Sequence, residues 1–171
     1  VQKLDWLNAR WLREKLTQEE FLLRALEWAS DNDKLKQGLL LAQTRIQTFS
    51  ELPDLTGFLL KGDVGVTAQS FANIKKNPPE KCLEVIDAVS PALDDMDEWN
   101  RESIEETLRV VAEGLETKLG KLTPPLFVAV SGTSRSLPLF DAMVLLGRAM
   151  VRQRLKVASD ALHASIDAPQ A

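Results

Sequence analysis

At 171 residues, with 44% apolar and 27% charged side chains, the chain is long enough to bury a core as one domain or two small ones. A single cysteine, Cys82, excludes an internal disulfide, and a single histidine, His163, argues against a zinc site or a Cys-His or Ser-His catalytic pair. No apolar run approaches the roughly 18 residues of a membrane span, and the charged start "VQKLDWLNARWLREK" lacks the apolar stretch of a signal peptide. The expectation is a cytoplasmic protein without a membrane partner.

The net charge of −4 is not that of a simple nucleic-acid binder, but the charges are unevenly placed. Nine acids between Glu84 and Glu106 face one arginine, whereas Arg135, Arg148, Arg152, Arg154 and Lys156 are balanced by Asp141 alone. A charge run is usually a solvated face. A basic segment on an acidic protein is also where a polyanion would dock.

Helical signals dominate in chain order. Thr17 and Glu20 in "TQEEFLLRALEWA" form a capping-box pattern, followed by apolar residues at helical spacing. "DKLKQGLLLAQTRIQTF" puts Leu35, Leu39, Ala42 and Ile46 on one stripe, and the helix is expected to stop near Pro53. "KGDVGV", 61–66, reads as a linker with little to pack. Thr67 is placed to cap "AQSFANIKK", and Asn77, Pro78 and Glu80 to open the next helix, in which Cys82 is a small core residue. Asn100 is placed to cap "RESIEETLRVVAEGLETKLG", with Gly120 as its C-cap.

The stretch "PPLFVAVSGTSRSLPLF", 124–140, is ambiguous. "LFVAV" has strand-like composition, yet no other strong strand exists to pair with it, and an isolated strand is unstable. We therefore read 124–131 as a short helix opened by Pro124 and Pro125 and stopped at Gly132. "TSRS" then forms a turn, and Ser136 or a neighbour caps one long last helix. Its stripe is Phe140, Val144, Gly147 and Val151, with a frayed tail after about His163. The stretch matches neither the P-loop nor the Gly-x-Ser-x-Gly elbow. It is either a plain helical turn or a corner that offers hydroxyls and one Arg to a phosphate or a base edge.

Three stretches decide between these readings. "KLDWLNARWLRE" (3–14), "TRIQTFSELPD" (44–54) and "ETKLGKLTPPLFVAVSGTSRSLPLFDAMVLLGR" (116–148) occur in this order, with "WN" at 99–100 between them. Together they resemble the C-terminal part of bacterial glutamyl-tRNA synthetase, a class I aminoacyl-tRNA synthetase. The resemblance implies an all-α anticodon-binding region, a helical cage of two subdomains. The first would span 1–64, with the end of a stem-contacting region at 1–15. The second, anticodon-binding, would span 65–163, before a tail at 164–171. It also implies a monomer that binds glutamate tRNA and not DNA. The family's HIGH-like and KMSKS-like ATP signatures are absent, so no catalytic residue and no cofactor is expected here. ATP and magnesium would serve the full-length enzyme.

The resemblance also assigns residues. Arg45 matches the arginine that reads the last anticodon base, C in glutamate tRNAs and G in glutamine tRNAs. A guanidinium fork can donate to the acceptors of an unstacked C, where G presents donors. Ser136, Leu137 and Leu139 match a second anticodon-facing loop. Phe127 stands where the family commonly has Arg, and Arg135, eight residues on, is the candidate to replace it. Lys118, Lys121, Arg148 and Arg152 are candidate phosphate contacts. Trp6, Trp11, Trp28 and Trp99 are expected to anchor the core or a subdomain interface. The alternative reading is a helical interaction or scaffold domain that reads no anticodon; a third is a relative that prefers glutamine tRNA.

Overall fold

Ten α-helices and two short 3-10 segments make up the regular structure of residues 2–72, 74 and 77–167, the part described by the computed structural model. No strand occurs among the described residues, so the all-α expectation holds, and "LFVAV" is helical. No helix among them is long and apolar enough to cross a membrane. Helix α1 spans Gln2–Glu14 and α2 Gln18–Asp31. The expected capping box opens α2: Thr17 Oγ1 accepts from the Glu20 amide at 3.2 Å, and the Glu20 carboxylate accepts from the Thr17 amide at 2.9 Å. The bond from the Thr17 amide, and after it the Thr17 hydroxyl, favour the ionised carboxylate and hold Glu20 below its usual range.

Helix α3, Asp33–Ala42, ends well before Pro53. A 3-10 turn, Phe49–Glu51, follows, and then α4, Leu52–Thr56, in which Pro53 lies in the first turn. The proline opens a helix rather than stopping one, as a residue without an N–H can at a helix start. A second 3-10 segment, Gly57–Leu60, leads into an extended stretch that is packed, not bare: Val66 is buried and Val64 lies against the core. Helix α5 is a single turn, Ala68–Phe71; its expected continuation over Asn73, Lys75 and Lys76 falls outside the described residues.

Helices α6 (Pro79–Asp94), α7 (Arg101–Gly114), α8 (Leu119–Ser131), α9 (Leu139–Leu146) and α10 (Arg148–Ile166) build the main body, with α6 against α10 as its most extensive pairing. Pro78 occupies the cap position expected for Asn77. Cys82 is fully buried on α6, as expected, and burial pushes its thiol up to about 11. Asn100 caps α7 by accepting from the Ser103 amide at 2.8 Å. That helix ends at Gly114 through Glu116, which takes a left-handed φ of 50°, so Gly120 is not its C-cap.

Gly120 instead lies in the first turn of α8, which begins five residues before Pro124. The tandem prolines therefore sit inside a helix, where each removes one N–H donor. The carbonyls left without it, at Gly120 and Lys121, are met by side chains. Thr123 Oγ1 donates to Gly120 O at 3.4 Å, and Asn77 Nδ2 donates to Lys121 O at 3.1 Å. Asn77 thus ties the start of α6 to α8 rather than capping its own helix.

The expected single last helix is broken at Gly147, whose φ of 81° and ψ of 157° lie outside helical space. The tail remains helical to Ile166, and residues 168–171 fall outside the described residues. One contiguous core runs from Ala42 on α3 to Leu162 on α10. No described residue of helices α1 and α2 belongs to it. Leu4, Trp6, Leu7, Trp11, Phe21, Leu22, Leu23, Leu26 and Trp28 are all exposed, Leu23 by 61%. Of the four tryptophans only Trp99 anchors the body, its Nε1 donating to Met143 O at 3.1 Å.

Arg154 belongs in sequence to the basic segment expected to face solvent. It is 2% exposed in the interior, donating to the carbonyls of Val130, Phe58 (2.8 Å) and Lys61. One guanidinium thereby joins α8, α10 and the chain leaving the second 3-10 segment. Burial lowers its pKa, with Asp63 acting the other way.

Candidate nucleic-acid interface

Two loops meet at one corner of the body. The first follows α3, whose last residue, Ala42, is fully buried; the Arg45 amide then bonds Ala42 O at 2.8 Å and turns the chain outward. Glu51 closes this loop. Its Oε1 accepts from the amides of Gln47 (2.9 Å) and Thr48 (3.0 Å), the reach-back half of a capping box. Those two bonds, and after them the Arg135 charge, hold the Glu51 carboxyl below its usual range.

The second loop starts where α8 stops at Gly132, which has a φ of 78°. A Cβ there would lie 3.1 Å from Val64 O and 3.2 Å from Val64 Cβ, so both the backbone angle and the close approach call for glycine. Ser131 Oγ donates to Phe127 O at 2.7 Å, and Thr133 Oγ1 donates to Arg135 O at 2.7 Å, which tightens the turn. Pro138, not Ser136, occupies the cap position of α9.

The loops are cross-linked by their own arginines. Arg45 Nη1 donates to Ser136 O at 3.2 Å, and Arg135 Nη2 donates to Arg45 O at 3.3 Å. The same Arg135 nitrogen lies 3.4 Å from Glu51 Oε2. Arg45 is exposed, and among the described residues the bond to Ser136 O is the one its guanidinium makes, which leaves N–H donors of the fork uncommitted. A cavity of about 430 Å³ lies beside the corner, lined by Glu51, Asp54, Phe58, Lys61, Thr133 and Arg135.

The structure thus brings Arg45, Arg135 and Ser136 together. Ser136 is buried, and its Oγ has no hydrogen-bond partner among the described residues. Leu137 and Leu139 are buried as well; Leu137 lies close to where a Cβ on Gly38 would stand, and Leu139 begins α9. Phe127 is half-buried against the core. Lys118 and Lys121 are exposed around the start of α8, and no carboxylate among the described residues pairs with either.

Arg148 and Arg152 are not brought to the corner. Arg148 donates to Met96 O and to Asp97 O (3.4 Å) and covers the Trp99 ring, whereas Arg152 pairs with Asp94 at 2.7 Å. These arginines of the basic segment thus have partners within the chain, although Arg152 stays 68% exposed. Asp87 similarly meets Ser159 at 2.7 Å and His163 at 3.5 Å. Where α6 packs on α10, the Arg152–Asp94 and His163–Asp87 pairs join the acidic and basic segments.

Two features of the corner are missed by sequence reasoning. Glu51 is one, although the Thr48-x-x-Glu51 spacing carries the signal for it. The other is Phe49, 84% exposed at the rim of a groove of about 600 Å³ shared with Lys36, Leu39, Leu40 and Ile46. Its apolar character reads as core, and only the turn after Ala42 places it outside.

The family described as "Anticodon binding domain" matches residues 14–159. Among curated relatives, the glutamate–tRNA ligase of Agrobacterium fabrum is 60% identical over 158 residues, 92% of this chain and 32% of that protein. That of Rhizobium johnstonii is 58% identical over 166 residues, 97% of this chain and 34% of its own length. The glutamate–tRNA ligase of a Marinomonas species is 36% identical over 162 residues, 95% of this chain and 33% of that protein. The chain spans about a third of the length of these relatives. With its family match running from the end of α1 into α10, across both loops of the corner, the chain belongs to the anticodon-binding domain family.

Proposed function

We propose that the chain is the anticodon-binding part of a glutamate–tRNA ligase and that it contacts glutamate tRNA at the Arg45 corner. The observation that carries this reading is the exposed Arg45, its guanidinium anchored by one bond to Ser136 O with donors left uncommitted among the described residues. The identity to relatives named glutamate–tRNA ligase supports the substrate. Joining glutamate to tRNA at the cost of ATP would belong to the rest of the longer protein, which acts as a monomer in the cytoplasm on this reading. In this chain the binding residues would be Arg45 and Arg135, with Lys118 and Lys121 as phosphate contacts. Ser136, Leu137 and Leu139 would shape the loop from beneath.

Arg45 discriminates by donor–acceptor matching. The Watson–Crick edge of C offers two adjacent acceptors to the fork, whereas G would set its N–H groups against those of the guanidinium. Arg45→Gln is expected to erase the preference for C over G at the last anticodon position while retaining salt-dependent binding to both tRNAs. Filter-binding titrations with the two tRNAs measure this. A preference unchanged in the variant would remove Arg45 from the reading role.

The apolar faces of α1 and α2 fit the same proposal. Exposed Leu, Phe and Trp side chains this numerous mark a surface that packs on something else, and two-thirds of the relatives' length is outside this chain. We assign these helices to the junction with the stem-contacting part of the ligase. Tryptophan emission of the longer protein is expected at shorter wavelength than that of this chain, because Trp6, Trp11 and Trp28 become covered. Equal emission maxima would argue against the assignment.

A further inference from the structure

We propose that Glu51 is a positioning residue which sets the base preference of Arg45 through Arg135. The inference rests on the reading of Arg45 given above and adds a residue that neither the family resemblance nor the relatives assign.

Glu51 contacts both loops with the two oxygens of one carboxylate. Its Oε1 fixes the amides of residues 47 and 48, two and three positions after Arg45, while its Oε2 faces Arg135 Nη2 at 3.4 Å. That nitrogen also reaches Arg45 O at 3.3 Å. Arg45 returns the contact by donating to Ser136 O, the carbonyl directly after Arg135. The result is a closed circuit: Glu51 to Arg135, Arg135 to the backbone of Arg45, and the Arg45 side chain to the backbone beside Arg135.

A long, exposed arginine has many rotamers, and ordering it on binding costs free energy. Here its backbone is pinned from below and one guanidinium nitrogen is already engaged. The fork can then meet a base edge with less ordering, and with a fixed approach that a mismatched base fails to satisfy. Glu51 supplies the fixed negative charge that holds Arg135 over the Arg45 carbonyl. Asp54, which lines the same cavity, has no ion pair with Arg135. The pinning therefore depends on Glu51.

Glu51→Gln is the informative variant. Its amide oxygen still accepts from the 47–48 amides, so the 3-10 turn is retained, but the charge facing Arg135 is gone. Arg135→Met removes the other partner of the link. The assay titrates the wild-type chain, each single variant and the double variant against glutamate tRNA and against the same tRNA with G as the last anticodon base. Thermal melting run alongside checks that each variant is folded.

The wild-type chain is expected to prefer C by about tenfold, within the range of one good base contact. Each single variant is expected to reduce that preference to about threefold or less, mainly by weakening binding to the C form, and the double variant to fall no further, as for two residues acting on one path. Glu51→Gln keeping the full preference would overturn the role given to Glu51 and leave the reading of Arg45 standing. Equal weakening towards both tRNAs would also overturn it, because that is the mark of a purely structural residue. A wild-type chain without preference would overturn the reading of Arg45, and this inference with it.

Discussion

Arg154→Met is expected to destabilise the chain by roughly 3 kcal/mol or more, at the upper end of what single substitutions do. The guanidinium lies in the interior with three carbonyls from two other segments as its acceptors. Hydrogen bonds to a charged donor contribute about 1.5–3 kcal/mol each, and acceptors left unmet in the interior carry a desolvation cost of their own. Methionine keeps much of the apolar stem, so the loss isolates the polar contacts. Lysine keeps the charge but not the planar fork, and Arg154→Lys is expected to recover only part of the loss. Urea denaturation measures all three proteins.

The control lies two residues away. Arg152→Met removes an ion pair with Asp94 in which the arginine side chain is 68% exposed, and it is expected to cost no more than about 1 kcal/mol. Similar costs at 152 and 154 would contradict the structural role given to Arg154.

Gly147→Ala is the second large effect, expected to cost about 1–3 kcal/mol for backbone reasons alone. The residue has a φ of 81° and a ψ of 157°, a region open essentially to glycine, and it separates α9 from α10. A Cβ there would meet nothing within 4 Å, so crowding contributes nothing. Gly57 makes the comparison: it too has open space around an added Cβ, but its φ of −58° is ordinary, and Gly57→Ala is expected to be nearly neutral or slightly stabilising. A neutral Gly147→Ala would mean that α9 and α10 tolerate a continuous helix. Equilibrium unfolding of the two variants decides this.

Much of the fold was legible in local signals. The Thr17–Glu20 box and the Asn100 cap are satisfied within three residues, so nothing distant competes with them. "LFVAV" was resolved as helix by a global argument, the lack of a partner strand, rather than by its own composition. What local patterns concealed was set by contacts distant in sequence. The tandem prolines read as a helix start because sequence does not show that Asn77 and Thr123 cover the carbonyls they leave. Gly147 looked like one more small residue on a helical stripe, and nothing local distinguishes a packed glycine from one at a positive φ.

The site followed the same division. Arg45 was found through family resemblance and Arg135 as the one arginine of the loop after α8, and the structure joins them across 90 residues. Arg154 looked like its neighbours Arg152 and Lys156 in a basic run, because sequence does not say which cation turns inward. Glu51 stands at capping-box spacing from Thr48, but its second oxygen faces a residue 84 positions away, beyond any spacing rule.

Whether this corner reads an anticodon is decided by titrating the wild-type chain with glutamate tRNA and with its G variant, at low and at physiological salt. Binding is expected to weaken as salt rises, with a preference for C of about tenfold, or roughly 1.4 kcal/mol, at both salts. Equal affinity for the two tRNAs would leave a docking module without base reading. No binding at low salt would contradict the claim and favour a helical interaction domain that has no tRNA partner.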